Sequence, residues 1–198
     1  MFDNIRERVK GHVLIRDKDT GEVLVDKANA INFENFSVAL AETLTNRPYG
    51  FIQEMCFGNG GATVSGTGIV TYLAPNVVGQ NAELYNETYY KVVNDQSPLN
   101  SNPSNNFITI NHTVGTTYAD IVVTCTLELG EPAGQQAFDT ATNMTDTFVF
   151  NELGLRAYDV NGVPDAGNLL THVIFSPLQK SLNRVIEIVY TIRIQTSS

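Results

Sequence analysis

The amino-acid sequence predicts a mostly β protein, an antiparallel β-sandwich with one main α-helix and a long inserted loop region. Residues 121–129 and 186–195 alternate apolar and polar side chains with a period of two, which is typical of antiparallel strands with one dry face and one wet face. Only residues 32–46 repeat apolar side chains at helical spacing. Strands and helices do not alternate along the chain, so we expect no parallel sheet.

Length and charge narrow the class of protein. A chain of 198 residues can bury a core as one domain, and 12 basic residues against 21 acidic ones give a net charge of −9. This balance argues against non-specific binding to a phosphate backbone. No apolar run reaches the ~20 residues of a membrane span, and the charged N-terminus lacks the apolar core of a signal peptide. We therefore expect synthesis and folding in a cytoplasm.

The N-terminal part of the chain predicts an arm followed by a hairpin. Residues 1–10 are expected to form a short polar helix or a mobile arm. Two β-branched runs, residues 12–16 and 22–25, then flank the sequence DKDTG, which indicates a hairpin with a glycine-containing loop. Asp17 and Asp19 partly resemble a calcium loop, but the remaining oxygen ligands are missing, so we interpret the stretch as a hairpin turn.

The helix is expected over residues 32–46. Asn32 is a suitable N-cap, and Pro48 follows the end of the pattern. A helix of this length needs a packing partner, and we expect it to pack on a sheet through Phe33, Phe36, Leu40 and Leu44.

Composition changes between residues 58 and 106, where Gly, Asn, Ser, Pro and Thr dominate. We interpret this stretch as a long loop excursion. It carries too many large side chains for a solvated linker, so we expect it to pack against something, for example a neighbouring subunit. The sequence FGNGG at its start lacks the Lys and Ser/Thr of a P-loop and predicts a tight turn with positive φ. The large side chains of the excursion are Tyr72, Leu73, Leu84, Tyr85, Tyr89 and Tyr90.

No catalytic or cofactor motif stands out. Cys56 and Cys125 lie in apolar settings and are interpreted as buried free thiols, without zinc-site neighbours. The histidines His12, His112 and His172 fall on predicted strands and are interpreted as satisfied strand residues. We therefore expect no catalytic residues, no cofactor and no metal. The tyrosines of the excursion could stack on sugars or fill a protein interface.

A resemblance enters through two parts of the chain. Residues 147–195 combine the sequence ELGL, a turn near DVNG, the apolar run LLTHVIF and a long alternating strand. Residues 11–61 combine TGEVLVDKANAI, a helix and MCFGNGG. Together they resemble tailed-bacteriophage virion structural proteins with a β-sandwich fold, which occur in necks, collars, baseplates and fibre attachments.

The stretch FVFNELGLRAYD at residues 148–159 raises a question of its own, because an apolar strand is interrupted by Glu152 and Gly154. The glycine would permit a bulge or the close approach of another backbone. A buried carboxylate needs a partner, and Arg156, Arg184 or Lys180 could supply it. The resemblance suggests that this strand lies beside a subunit boundary; the alternative is an exposed Glu152 on an edge strand.

The resulting expectation is a structural protein of a tailed-phage virion, made in the host cytoplasm. It would be a single domain over residues 1–198 that forms a symmetric ring at the neck or collar and binds itself and other virion proteins. No nucleic acid, membrane or small-molecule partner is expected. A baseplate or fibre-attachment protein, a capsid decoration protein and a carbohydrate-binding module remain alternatives. The candidate interface residues are Glu152, Arg156, Tyr72, Tyr85, Tyr89 and Tyr90.

Overall fold

The computed structural model describes residues 6–135, 137 and 147–197 and contains one helix and eleven strands within them. Nine strands form one antiparallel sheet in the order β6-β3-β9-β10-β2-β1-β11-β8-β7, and β4 and β5 form a separate hairpin. The prediction of a mostly β, antiparallel fold with one main helix is confirmed. The elements are β1 (Arg6–Asp17), β2 (Val23–Ile31), α1 (Phe33–Leu44), β3 (Ile52–Gly58), β4 (Ala62–Val64), β5 (Val70–Tyr72), β6 (Glu87–Val92), β7 (Phe107–Asn111), β8 (Tyr118–Leu127), β9 (Thr147–Ala157), β10 (Leu169–Ser181) and β11 (Ile186–Ser197).

The large sheet curls so that its first strand, β6, reaches its eighth, β8. Strand β2 belongs to both parts of the curl, because it pairs with β1 over most of its length and with β10 through Ala30 and Ile31. We call β1, β11, β8 and β7 the front half, and β10, β9, β3 and β6 the back half. The Nζ of Lys91 on β6 donates to the carbonyl of Thr126 on β8 at 2.8 Å, although these strands are first and eighth in the sheet order. The two halves therefore enclose one core, as in a β-sandwich.

The core fills the inside of the curl. On β11 the residues Ile188, Tyr190 and Ile192 are fully buried, while Arg193 points outward, so the alternation read from the sequence is confirmed. The rings of Phe57 and Phe150 meet edge to face at 5.4 Å in the same cluster. Side chains of this size each contribute roughly 1.5–3 kcal/mol when fully buried, which makes this cluster the main source of stability.

The first hairpin forms as expected, but the N-terminal arm does not. Asp17 Oδ1 accepts hydrogen bonds from the N–H groups of Asp19 and Thr20, and Gly21 adopts φ +75°, so DKDTG is a hairpin turn. Residues 6–10 pair with β11 as the start of β1; the expected arm or helix is therefore wrong there, because this stretch completes a sheet. Residues 1–5 lie outside the described residues.

The helix begins as predicted and packs differently. Asn32 caps it by accepting from Asn35 N at 3.1 Å. The buried positions are Asn35, Phe36 and Ala39, whereas Phe33 and Leu44 are 66% and 78% exposed. The expectation that Phe33 and Leu44 pack on a sheet is thus wrong, because α1 lies at the open end of the curl and only its middle touches the core.

The excursion over residues 58–106 is not a plain loop. It contains β4 and β5, and its later part is strand β6, which pairs with β3. Between these strands the chain folds back over the outward face of the back half. There Leu84 packs with Cys56 and Leu169 in a second small apolar cluster. The excursion therefore covers its own sheet, and its tyrosines are divided between this cover and the core.

Candidate functional site

The interruption in β9 has a structural cause. Phe148 and Phe150 belong to the core, and so do Leu153 and Leu155, so the inward-facing set changes from even to odd positions across Glu152. The change lies beside a bulge in the sheet: Ile174 pairs with Glu152 and Leu178 with Phe150, so β10 advances four residues while β9 advances two. Glu152 consequently faces outward from the core, beneath the excursion.

Glu152 is a fully buried acceptor for four hydrogen bonds. Its Oε1 accepts from the N–H groups of Gly60 and Asn86, both at 2.9 Å. Its Oε2 accepts from Tyr85 N at 2.9 Å and lies 3.0 Å from His172 Nε2. Burial alone raises the pKa of Glu152, but the hydrogen bonds from His172 and the backbone outweigh it, and the pKa is lowered. Glu152 thus ties two parts of the excursion to β9.

Two expectations about Glu152, a partner among three basic residues and an exposed position on an edge strand, are corrected by these contacts. Neither Arg156, Arg184 nor Lys180 is its partner; Arg184 pairs with Asp17, and Lys180 Nζ donates to backbone carbonyls, including that of Glu131 at 2.7 Å. The carboxylate is 0% exposed, and β9 lies between β3 and β10, so it is not on an edge strand. Its partners come from its own chain because the excursion brings backbone donors to it.

His172 completes this buried network. The N–H of Asn76 donates to Nδ1 of His172 at 2.9 Å. Because Nδ1 accepts, the ring proton sits on Nε2 and is donated to Glu152. Both side chains are 0% exposed, and the ring of Tyr85 lies over the imidazole with 5.6 Å between centroids. This Glu–His pair joins β9 to β10, and its further hydrogen bonds hold the excursion against both strands.

The glycines of FGNGG serve this network, and the expectation of positive φ there is wrong. None of Gly58, Gly60 and Gly61 is among the positive-φ residues of the described chain. A Cβ at Gly58 would lie 2.5 Å from Asn86 O, and one at Gly60 would lie 2.6 Å from Asn86 N. The glycines are required because the excursion backbone approaches this closely.

Arg156 forms a second buried polar cluster on the same face. It is 3% exposed, its Nη2 lies 2.6 Å from Glu87 Oε2, and its Nη1 bonds the carboxylate and the carbonyl of Asp165. Glu54 accepts from Asp165 N at 3.0 Å. Burial raises the pKa of Glu54 to about 7. This cluster anchors the loop between β9 and β10 to the sheet, and Arg156 itself, with 4% of its side chain exposed, offers almost no surface to a neighbour.

The four candidate tyrosines do not form one patch. Tyr89 is 7% exposed and packs against Phe57 in the core. Tyr90 is half-buried, and its backbone exchanges two hydrogen bonds with the side chain of Gln135. Tyr72 and Tyr85 are about half exposed. The hydroxyl of Tyr72 forms a hydrogen bond with Ser176 Oγ, and the hydroxyl of Tyr85 donates to Ala74 O. Of these four tyrosines, Tyr72 and Tyr85 are therefore the most exposed.

The two cysteines lie inside the fold. Cys56 and Cys125 are buried free thiols, as interpreted from the sequence. Over the described residues, no three or more His, Cys, Asp or Glu side chains come together as metal ligands would. Over the same part of the chain, no helix combines the length and apolar character of a membrane span.

A groove that the sequence did not predict lies at the open end of the curl. It has a volume of about 800 Å³, within the range of ligand-binding cavities. One wall is α1, a second is the inner face of the front half, and the stacked rings of Phe51 and Tyr158, 5.0 Å apart, border it. We call it the wide groove. Its principal apolar residues are Phe36, Leu40, Phe51, Ile108, Ile110, Ile121, Tyr158 and Ile194.

The other side of α1 is apolar as well. A second depression of about 390 Å³, the narrow groove, runs between the helix and the start of β1. Exposed Phe33 and Leu44 line it together with Val9 and Ile31. The apolar face that the helical spacing predicted therefore exists, but much of it borders open grooves. The sequence signal for these grooves is the wide apolar face of α1, since a face of this width exceeds what one sheet contact covers.

The rim of the wide groove is an open sheet edge. Within the part of the chain that the structure describes, strand β7 is last in the sheet order and pairs with β8 alone. The N–H of Ile108 points away from β8 and donates to Asp95 Oδ1 at 3.1 Å. Strand geometry repeats every two residues, so the N–H of Ile110 points to the same open side. At the opposite edge of the sheet, the backbone N–H and C=O of Tyr90 on β6 both form hydrogen bonds with the side chain of Gln135.

Comparison with known proteins yields no relative: no family model, no curated protein and no solved structure matches this chain.

Proposed function

We propose that this chain is a structural subunit of a tailed-bacteriophage particle, a ring-forming neck or collar protein at the junction of head and tail. It is made in the host cytoplasm and resides in the virion. Its work is to bind copies of itself and other virion proteins, not to catalyse a reaction. The support comes from the order of motifs in residues 11–61 and 147–195 and from the distribution of apolar surface.

The observation that carries this proposal is the uncovered apolar surface around α1. The excursion of the same chain already covers the outward face of the back half. In contrast, Phe33 and Leu44 remain 66% and 78% exposed along the narrow groove, and the wide groove lies on the other side of α1. Burying such side chains against another protein yields roughly 1.5–3 kcal/mol each. A surface of this kind on a water-exposed protein marks a contact with another molecule.

Ring formation requires a heterologous contact, in which different surfaces of neighbouring copies meet and the rotation closes. The narrow groove, with Phe33 and Leu44, is the surface we assign to contact between copies. The buried side chains Glu152, Arg156 and Tyr89 stabilise each subunit and take no direct part in the contact.

The test is the state of association of the purified protein, measured by light scattering and native mass spectrometry over a range of concentrations. We expect a closed multimer. Phe33→Lys should shift it toward monomer, whereas Val163→Lys, a lysine at a 52% exposed position in the β9–β10 loop, should not. A wild-type protein that stays monomeric when concentrated and is missing from purified particles would overturn the proposal.

Position in the particle is tested separately. Antibody labelling of intact particles in electron micrographs should place the protein between head and tail. Labelling at the baseplate, at fibre attachments or over the capsid would favour the alternatives within the same class.

A carbohydrate-binding module is a second candidate function, favoured by the half-exposed rings of Tyr72 and Tyr85. Aromatic rings can stack on sugar faces. A glycan array probed with the monomer tests it, with Tyr72→Ala as the variant. Binding that Tyr72→Ala abolishes would favour the module over the virion subunit.

A further inference from the structure

We propose that the wide groove binds an extended segment of a second, different protein, which adds as a strand to β7 and inserts alternate apolar side chains beside Ile110. This inference deepens the proposed function and rests on it, since the partner is taken to be another virion protein.

The open backbone of β7 selects an extended polypeptide. The outward side of this strand has no strand partner among the described residues, and the N–H of Ile110 faces it. The neighbouring N–H of Ile108 is held by the Asp95 carboxylate, which occupies a position that a strand carbonyl could take. Main-chain bonds to a sheet edge provide affinity for an added strand. A lipid or another small apolar molecule makes no use of backbone N–H and C=O groups at a sheet edge.

The side chains of β7 place the added strand against the groove. Ile108 and Ile110 both line the wide groove, and Ile110 is 74% exposed. A strand paired with β7 continues the same sheet, so every second side chain faces the same way as these isoleucines. Those side chains would meet Phe51 and Leu40 across the groove. The partner segment therefore needs apolar residues at alternate positions.

The negative charge of the groove and of the whole chain favours a basic partner over a second copy of this chain. Among the described residues, no lysine, arginine or histidine lines the wide groove, and Asp95 is its one charged lining residue. The chain as a whole has a net charge of −9, so a second copy brings like charge to this rim. A segment with lysine or arginine between its apolar residues would be attracted to it. The same charge pattern disfavours a fatty acid or another anionic ligand.

The probe is a short synthetic peptide, blocked at both ends, in which valine and lysine alternate. It is titrated into the full-length protein while backbone amide resonances are followed by NMR. We expect saturable binding, with slower hydrogen exchange at the Ile110 amide. A peptide with aspartate in place of lysine, and one with N-methylated valines, should bind at least about tenfold more weakly.

Two matched variants locate the site on the protein. Ile110→Lys and Val114→Lys both place a lysine at an exposed position of the β7–β8 hairpin, 74% and 93% exposed in the wild type. Only Ile110 borders the groove. We expect Ile110→Lys to raise the peptide Kd about tenfold or more and Val114→Lys to change it less than about twofold. Thermal melts of both variants check that the fold is retained.

Each other outcome counts against the inference. Peptide binding that leaves the Ile110 amide unprotected, or that Ile110→Lys does not weaken, overturns strand addition at β7. Protection of Ile110 that rises with protein concentration and needs no peptide identifies a second copy as the occupant. Binding of laurate in the groove without Ile110 protection identifies a lipid site. Failure of peptide binding in a protein that still forms Phe33-dependent multimers overturns this inference alone and leaves the proposed function standing.

Discussion

Glu152 and His172 lie fully buried on neighbouring strands, with 3.0 Å between Glu152 Oε2 and the Nε2 of His172. The carboxylate also accepts three backbone N–H groups from the excursion. Through this pair, the excursion is therefore held by hydrogen bonds to the outward face of strands β9 and β10.

Glu152→Gln should destabilise the monomer. The amide cannot accept from four donors, and its own NH₂ faces groups that also donate. We expect the free energy of unfolding in urea to fall by about 2–4 kcal/mol. Glu83→Gln is the matched control at an exposed position of the excursion and should change the stability by less than ~0.5 kcal/mol. Reduced association without loss of monomer stability would contradict this role.

Gly154→Ala should destabilise for a steric reason. A Cβ at Gly154 would lie 2.6 Å from both the Thr171 carbonyl oxygen and Leu169 Cδ1, so β9 and β10 would have to separate. A loss of about 1–3 kcal/mol is expected by chemical denaturation. At Gly66 a Cβ meets nothing within 4 Å, so Gly66→Ala should be neutral within about 0.5 kcal/mol. Equal effects at the two glycines would argue against close strand approach as the cause.

Glu54→Gln should stabilise the protein at alkaline pH. The pKa of buried Glu54 is raised from 4.5 to about 7, so the folded protein holds this proton more tightly than the unfolded chain. Stability from this group is full below the unfolded value and is lost as pH rises through about 7. Glutamine resembles the protonated acid and avoids that loss, which amounts to ~3 kcal/mol at most.

The measurement for Glu54 is the thermal midpoint of wild type and variant at two pH values. The variant should melt higher near about pH 8, and the difference should shrink near about pH 5. A difference that stays constant between these values would mean that Glu54 does not titrate in this window.

The two cysteines should be unreactive while the protein is folded. Both are buried without a disulfide, and burial raises the pKa of the Cys125 thiol to about 12 and that of Cys56 well above its usual value. The thiolate is the reactive form, so iodoacetamide should label neither residue in native buffer and both in denaturant. Mass spectrometry without reductant reads this directly. Rapid labelling in native buffer would contradict the burial of the labelled residue.

The fold class followed from local patterns. The alternation of β11 reports its burial residue by residue, and Asn32 caps α1 through a contact only three residues away. Such signals lie within one element and depend on no distant partner. They explain why the strands and the helix start were predicted well.

The candidate site was predicted poorly because its contacts are distant and use the backbone. The donors to Glu152 are main-chain groups of Gly60, Tyr85 and Asn86, whose position no side-chain pattern reveals. Strand β6 was not predicted because a short strand within a Gly-, Asn- and Ser-rich stretch shows no clear alternation of apolar and polar residues. The wide groove exists only because the sheet curls, which is a property of the whole chain.

The pairing of β1 with β11, from Arg6 with Ser197 to Asp17 with Ile186, has a consequence for biosynthesis. Strand β1 is synthesised before β11 and can pair with β2 in a hairpin, yet its other side stays unpaired until β11 has been translated. The sheet of this domain therefore closes only after β11 has been synthesised. A chain that lacks β11 would expose the edge of β1, which favours its aggregation or its removal by proteases.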